Sequence, residues 1–217
     1  MIDLHTHSFF SDGVLLPAEL IRRARVKGCI AVGITDHVDQ SNFDFVIPKI
    51  ITACTWYSES HGIVAIPGVE ITHVPPQNIP SLVRKARELG ARLVIVHGET
   101  LVEPVMPGTN LAALQADIDI LAHPGFISEE EVALARDKSI YLEITARSGH
   151  SLTNGYVARL SQKIGAGLVI NTDAHEPSDL IDQDMAWKIG LGAGMIKEEI
   201  EIAFDNAKRI LDRCLGK

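Results

Sequence analysis

The chain has 217 residues, 46% of them apolar but only 5% aromatic, so one sizeable core can be built, mainly from aliphatic side chains. A formal charge of −8 argues against a surface that grips long nucleic acid, although bound cations can invert the local field and admit a small anionic substrate. No apolar run approaches the ~20 residues that span a bilayer, which speaks against a membrane protein.

The chain opens on Met-Ile-Asp-Leu-His, which has neither the basic nor the apolar region of a secretion signal, and a cytoplasmic location is the expectation. Apolar, β-rich runs at Ile2–His7, Ile30–Thr35, Ile63–Glu70, Leu93–His97, Ile118–His123, Tyr141–Thr145 and Leu168–Thr172 predict seven strands. Amphipathic segments between them, at Pro17–Lys27, Pro80–Leu89, Ser128–Asp137 and Gly155–Ile164, predict helices, and a last helix is expected near Lys197–Leu215. Pro17 suits a first helical turn, Ser128 with Glu131 fits a capping box, and Gly28, Gly90 and Gly165 stand where left-handed C-caps would fall. The stretch Glu99–Thr109, with two prolines and a glycine, should overhang the strand ends. Cys29, Cys54 and Cys214 are too scattered for a disulfide framework or a thiolate zinc site and read as buried, inert thiols. Strand–helix repetition over 1–217 predicts one α/β domain with a parallel sheet, open or closed into a barrel.

The polar residues that end these strands carry the functional reading. His5 and His7 close the first strand, His37 follows the second, Glu70 ends the third, His97 the fourth and His123 the fifth, and Asp173 and His175 follow the seventh. All stand at carboxyl ends, the edge where parallel α/β folds bind ligands. Residues two apart on a strand share a face, so His5 with His7, and Asp173 with His175, point the same way. Convergence from six strands favours a closed or nearly closed barrel. Without a cation, such a cluster would bury repelling carboxylates and unsatisfied imidazoles at considerable cost. His61, before a strand, reads as a solvated turn residue, while His73 and His150 lie in loops that could face the site.

The segments His5-Thr-His-Ser-Phe-Phe-Ser-Asp12-Gly, Thr35-Asp-His37, Pro67-Gly-Val-Glu70, Ala122-His-Pro124 and Asn171-Thr-Asp-Ala-His175 resemble, in order, the motifs of the PHP (polymerase and histidinol phosphatase) family. His-x-His also opens amidohydrolase barrels, but those usually bridge their metals through a lysine on the fourth strand, and here that strand ends in His97. The resemblance implies a distorted seven-stranded (β/α)7 TIM-like barrel with two or three divalent ions. It implies that His5, His7, Glu70 and Asp173 hold one ion and that Asp12, His37 and His175 hold a second. His97 and His123 would hold a third, bridged to the first by Glu70. Some family members have His at the Asp12 position.

Imidazole and carboxylate donors without thiolate suit zinc, manganese or iron. Ions about 4 Å apart could share a hydroxide, which would attack a phosphate in line. Arg147 and His150, after the sixth strand, are the candidate catalytic residues. A guanidinium can clamp two phosphate oxygens, and a protonated His150 could assist the leaving oxygen. Asp36 and Asn171 are placed to orient ligands, and Asp3 to brace the barrel floor. The resulting expectation is a metal-dependent phosphomonoesterase acting on a small phosphorylated substrate, with histidinol phosphate, and so histidine biosynthesis, leading. The alternatives are a phosphodiesterase, exonuclease or small-nucleotide phosphatase, and a non-catalytic metal-stabilised scaffold.

Overall fold

The structure, a computed structural model, describes residues 1–217. Seven strands form the frame: β1 (Ile2–Thr6), β2 (Ala31–Ile34), β3 (Val64–Ile71), β4 (Leu93–His97), β5 (Ile120–Ala122), β6 (Tyr141–Thr145) and β7 (Leu168–Asn171). Each pairs in parallel with its successor, and His37–Val38 prolongs β2 by pairing with the far end of β3, His37 opposite Glu70. The expected strands are all present, one or two residues shorter at some ends.

β1 and β7 meet across a seam that is stitched mostly by side chains. Leu4 N–H donates to Asn171 Oδ1 at 3.0 Å, and Thr172 donates both its hydroxyl (2.6 Å) and its N–H (3.2 Å) to the Asp3 carboxylate. A backbone bond from His7 N–H to the Ala174 carbonyl, 2.8 Å, completes the join. The sheet is thus a nearly closed α/β barrel of the TIM type, distorted at this seam.

Eight helices surround it: α1 (Pro17–Val26), α2 (Phe43–His61), α3 (Ile79–Glu88), α4 (Thr109–Leu114), α5 (Glu129–Lys138), α6 (Asn154–Ile164), α7 (Gln183–Gly192) and α8 (Lys197–Cys214). Their apolar faces pack on the outside of the barrel in the larger core, with Leu20, Ile21, Ile47, Ile50, Leu82 and Val132 almost fully buried. The Ser128–Glu131 capping box forms, and Gly28, Gly90 and Gly165 all take positive φ at helix ends. α2 has no counterpart among the expected helices: Pro48 and a run of β-branched residues interrupt its helical signature. Thr52, Thr55 and Ser60 fit by bonding their hydroxyls to the carbonyl four residues back. His61 accordingly ends a helix rather than sitting in a free turn.

A smaller core fills the barrel's lower interior. It combines Leu4, Ile66, Leu93, Ile95, Ile120 and Val169 with Ala207, Ile210, Leu211 and Cys214 of α8. The last helix therefore stoppers the amino-terminal mouth as well as covering β7 and β1. Arg84 and Lys85 of α3 face solvent. Arg87 does not: its guanidinium reaches Asp119 at 2.8 Å, and Arg213 reaches the other oxygen at 2.6 Å. With the floor sealed, the only apolar-free end of the barrel is the carboxyl one.

Candidate metal centre

Three of the strands reach the carboxyl end by simple alternation. Ile66–Gly68–Glu70, Leu93–Ile95–His97 and Tyr141–Glu143–Thr145 run from the lower core up to the site. The other histidines need departures from regular strand. The β1–β2 register slips between Asp3 and Thr6, so Leu4 lies in the lower core while His5, one residue on, still reaches the centre. His123 and Asp173 adopt positive φ, 28° and 53°, which non-glycine residues rarely do. The Ser8–Gly13 loop folds back hard on β1, and a Cβ on Gly13 would lie 2.3 Å from the His7 carbonyl oxygen. That turn returns Asp12, half-exposed, to the rim of the cluster. Asp36 fixes the same loop, accepting from Ser8 N–H and from the hydroxyls of Ser8 and Ser11.

All nine expected ligand residues come together. In the deepest group, Glu70 Oε2 lies 3.0 Å from His5 Nε2 and 3.3 Å from His7 Nε2, and Asp173 Oδ1 lies 3.1 Å from His7 Nε2. Donors 2.0–2.1 Å from a tetrahedral ion would sit roughly 3.3 Å apart. A second group joins Asp12, His37 and His175 to His7, with His175 Nε2 3.2 Å and His37 Nε2 3.6 Å from Asp12 oxygens. A third joins His97, His123 and His150. Glu70 Oε1 lies 3.6 Å from His123 Nε2, so this carboxylate faces both the first and third groups.

Hydrogen bonds set which nitrogens face inward. His5 Nδ1–H donates to Glu143 Oε1 (2.8 Å), His97 Nδ1–H to the Gly98 carbonyl (3.0 Å) and His175 Nδ1–H to the Asp173 carbonyl (3.0 Å). Each leaves an Nε2 lone pair turned to the centre, the arrangement that metal-ligating histidines adopt. The surrounding acids make the site attractive to positive charge, which without a metal falls on the rings themselves. Burial lowers the His5 pKa, but Glu70, Glu143 and Asp173 outweigh it and push it well up. For His37 the balance reaches about 9, Glu70 being the chief opposing charge. Burial alone would raise the Glu70 and Asp173 carboxyls, yet His5 and its neighbours hold both well below the usual range. His123 goes the other way, pushed well down by burial and by His97.

A divalent cation fits this donor set. The buried side-chain atoms that lack any hydrogen-bond partner in the protein are His5 Nε2, both ring nitrogens of His7 and His123, His37 Nδ1, both Glu70 oxygens, Glu143 Oε2 and, elsewhere, Ser161 Oγ. Buried polar groups are normally satisfied, so a run of orphans converging on one volume marks a place for a positive ion.

The PHP domain family matches residues 3–171 of the sequence. The chain belongs to the PHP domain family. It is 51% identical to the uncharacterized protein MJ1295 of Methanocaldococcus jannaschii over 201 residues, 92% of each chain. Among solved structures it resembles a chain of archaeal ribonuclease P, determined with mature tRNA. There the TM-score is 0.73 and the identity 18%, covering 97% of this chain and 90% of that one. It also resembles the metal-dependent tyrosine phosphatases YwqE of Bacillus subtilis and CpsB of Streptococcus pneumoniae, with a TM-score of 0.69 and 18% identity over 98% and 95%. At that identity the two structural likenesses speak for the fold alone.

In this PHP chain the two residues expected to handle substrate sit at the rim of the cluster. Arg147 is half-buried, its Nη1 donating to the Asp173 carbonyl and to Asp179 Oδ2, both at 3.3 Å. Asp179 Oδ2 also accepts the backbone N–H groups of His175 and Glu176, tying Arg147 to the loop after β7. His150 stacks on His123 with centroids 4.2 Å apart, its Nδ1 paired with the Thr100 hydroxyl at 2.8 Å. Burial pushes its pKa down. His73 lies near the mouth of the cavity, with Nε2 3.8 Å from Glu103.

Two acids escaped the sequence reading. The sixth strand places Glu143 fully buried beside His5. The alternation Tyr141–Glu143–Thr145 carried that signal. Glu103, from the irregular Glu99–Thr109 stretch, reaches His97 Nε2 at 3.0 Å and His150 Nε2 at 3.3 Å. The bond to His97 holds the Glu103 carboxyl down at about 2, against the effect of burial. No periodic signal marks it. The three cysteines are buried and free, and burial raises all their thiol pKa values. No helix is long and apolar enough to cross a membrane.

Proposed function

We propose that this protein hydrolyses small phosphate monoesters at its metal centre, with histidinol phosphate the specific candidate. The observation that carries the reading is the cavity above the cluster. It measures about 190 Å³ and is lined by ten residues, none of them hydrophobic, with Arg147 and His73 among them. At about 30 Å³ per water it has room for roughly six waters, which suits a phosphoryl group.

His5, His7, Glu70 and Asp173 would hold one divalent ion, Asp12, His37 and His175 a second, and His97 and His123 a third. Such ions supply an ionised water near neutral pH and neutralise phosphate charge. The protein's own groups do the rest. Arg147, aimed by Asp179 and the Asp173 carbonyl, keeps N–H groups of its five-donor fork free for phosphate oxygens. Glu143 and the Gly98 and Asp173 carbonyls keep the imidazoles turned inward. Burial of His5, His7 and Glu70 excludes bulk water from beneath the reacting phosphorus.

The test is phosphate release by manganese-loaded protein from histidinol phosphate, a generic aryl monoester and an aryl diester, with a chelator-treated control. Chelator-sensitive release from the monoesters, fastest with histidinol phosphate, is expected. Turnover of the diester alone, or release that survives chelation, would overturn the proposal.

A further inference from the structure

We infer that Glu103 and His150 complete the third metal site together with His97 and His123, so that the Glu99–Thr109 loop supplies a ligand. This rests on the reading of the cluster as a metal centre and extends it to two residues outside the set expected from the sequence. The ring nitrogens of His97, His123 and His150 that could serve lie within 4.8 Å of one another. Glu103 spans them, with Oε2 3.0 Å from His97 Nε2 and Oε1 3.3 Å from His150 Nε2. Each spacing is close to the roughly 3.3 Å that separates donors on one ion, one carboxylate oxygen facing each ring. Independently, both ring nitrogens of the fully buried His123 have no partner in the protein.

A direct imidazolium–carboxylate pair would account for Glu103 and His97, but not for the whole group. His97 gives its Nδ1–H to a carbonyl, and His150 has its Nδ1 engaged by Thr100, so both present their remaining nitrogen to the same carboxylate. Protonating both beside His123, with ring centroids 4.2–4.3 Å away, would crowd like charges in a buried space. One divalent cation satisfies all three lone pairs and the carboxylate together. The loop is built for this approach. Gly125, just past His123, has φ 64°, and a Cβ there would fall 1.9 Å from the Glu99 carbonyl oxygen, so the two segments cross in contact. On this assignment His150 is a ligand and not the proton donor to the leaving group.

The experiment is metal counting on chelator-stripped protein reloaded with manganese or zinc, by mass spectrometry after gel filtration. It is paired with anomalous diffraction from a metal-loaded wild-type crystal. The expected result is three ions per wild-type chain, with the third peak between Glu103 and His150, and two ions in E103Q and H150Q. The affinity for the third ion should fall at least about ten-fold in either variant. Retention of three ions at wild-type affinity by either variant removes that residue from the ligand set. A wild-type crystal with peaks only at the first two sites overturns the inference and leaves the proposed function standing. A protein that takes up no ion at all overturns both. E103Q changes one atom on a part-exposed loop, and the wild-type map decides the matter if H150Q fails to fold.

Discussion

Glu143 touches no substrate in the proposed function, yet its replacement by glutamine should weaken the centre measurably. Its Oε1 accepts from His5 Nδ1 at 2.8 Å and from Asn171 Nδ2 at 2.9 Å, in full burial. Glutamine can keep the same outline and offer its one oxygen to both donors, so the fold should survive. What changes is the strength of the acceptor. Hydrogen bonds to a charged group contribute about 1.5–3 kcal/mol, roughly twice those between neutral partners. The loss at His5 is then on the order of 1–1.5 kcal/mol, about a ten-fold drop in affinity for the ion that His5 holds. Competition with a chromophoric chelator measures that affinity directly, and the melting curve of the stripped protein checks the fold. E143A, which strands both donors, should cost more. Wild-type affinity in E143Q, within two-fold, would mean that the carboxylate does not tune His5.

The remaining predictions concern stability and substrate handling. Chelation should lower the melting temperature: at a metal concentration 100-fold above Kd, binding contributes about 2.7 kcal/mol, or roughly 5–10 °C for a chain of this length. An unchanged melting curve would count against the ions being part of the fold. R147A should raise KM by about ten-fold or more while the metal count stays at the wild-type value, and a fall in metal content would place Arg147 among the supports of the centre instead. D119A, at the barrel floor, removes the acceptor of the buried Val94 N–H and of two part-exposed guanidiniums, and should cost on the order of 1–3 kcal/mol in chemical denaturation with turnover of the folded fraction intact. Burial raises the Asp3 carboxyl to about 6, although bonds from Thr172 oppose this. A raised folded-state pKa gives stability that is present below pH 4 and lost as pH rises through 6. D3N is free of that loss and should therefore gain on wild type by about 3 kcal/mol between pH 4 and 7. A pH-independent difference between the two proteins would refute this account of the seam.

What the sequence disclosed was what repeats or sits at a fixed offset from a repeat. The seven strands were legible because apolar runs stop at a polar residue on the same edge each time. Gly28, Gly90 and Gly165 were legible because a helix that must end there needs a left-handed residue. Contacts made at long range were hidden. Glu103 lies in an aperiodic loop, and only the crossing of that loop over Gly125 brings it to His97. α2 was hidden because its helix is stabilised by packing against β3 and not by local propensity, which Pro48 and its β-branched neighbours oppose. Barrel closure was inferable only from convergence of the strand ends, since Asp3–Thr172 and Leu4–Asn171 join residues more than 160 positions apart.

The seam and the site depend on each other. Regular strand pairing between β1 and β7 would impose an even alternation on His5, His7, Asn171 and Asp173. The actual join uses side-chain bonds and a left-handed Asp173, beside a register slip between β1 and β2. Residues held in that region cost of order 1–3 kcal/mol each, and His123, after β5, carries the same kind of strain. Asp173 turns its carboxylate to within 3.1 Å of His7 by this means, and the same backbone turn gives its carbonyl to both Arg147 and His175. A fully regular barrel would be less strained here, but would not bring these side chains to a common centre. The distortion of the barrel is concentrated where the donors have to meet.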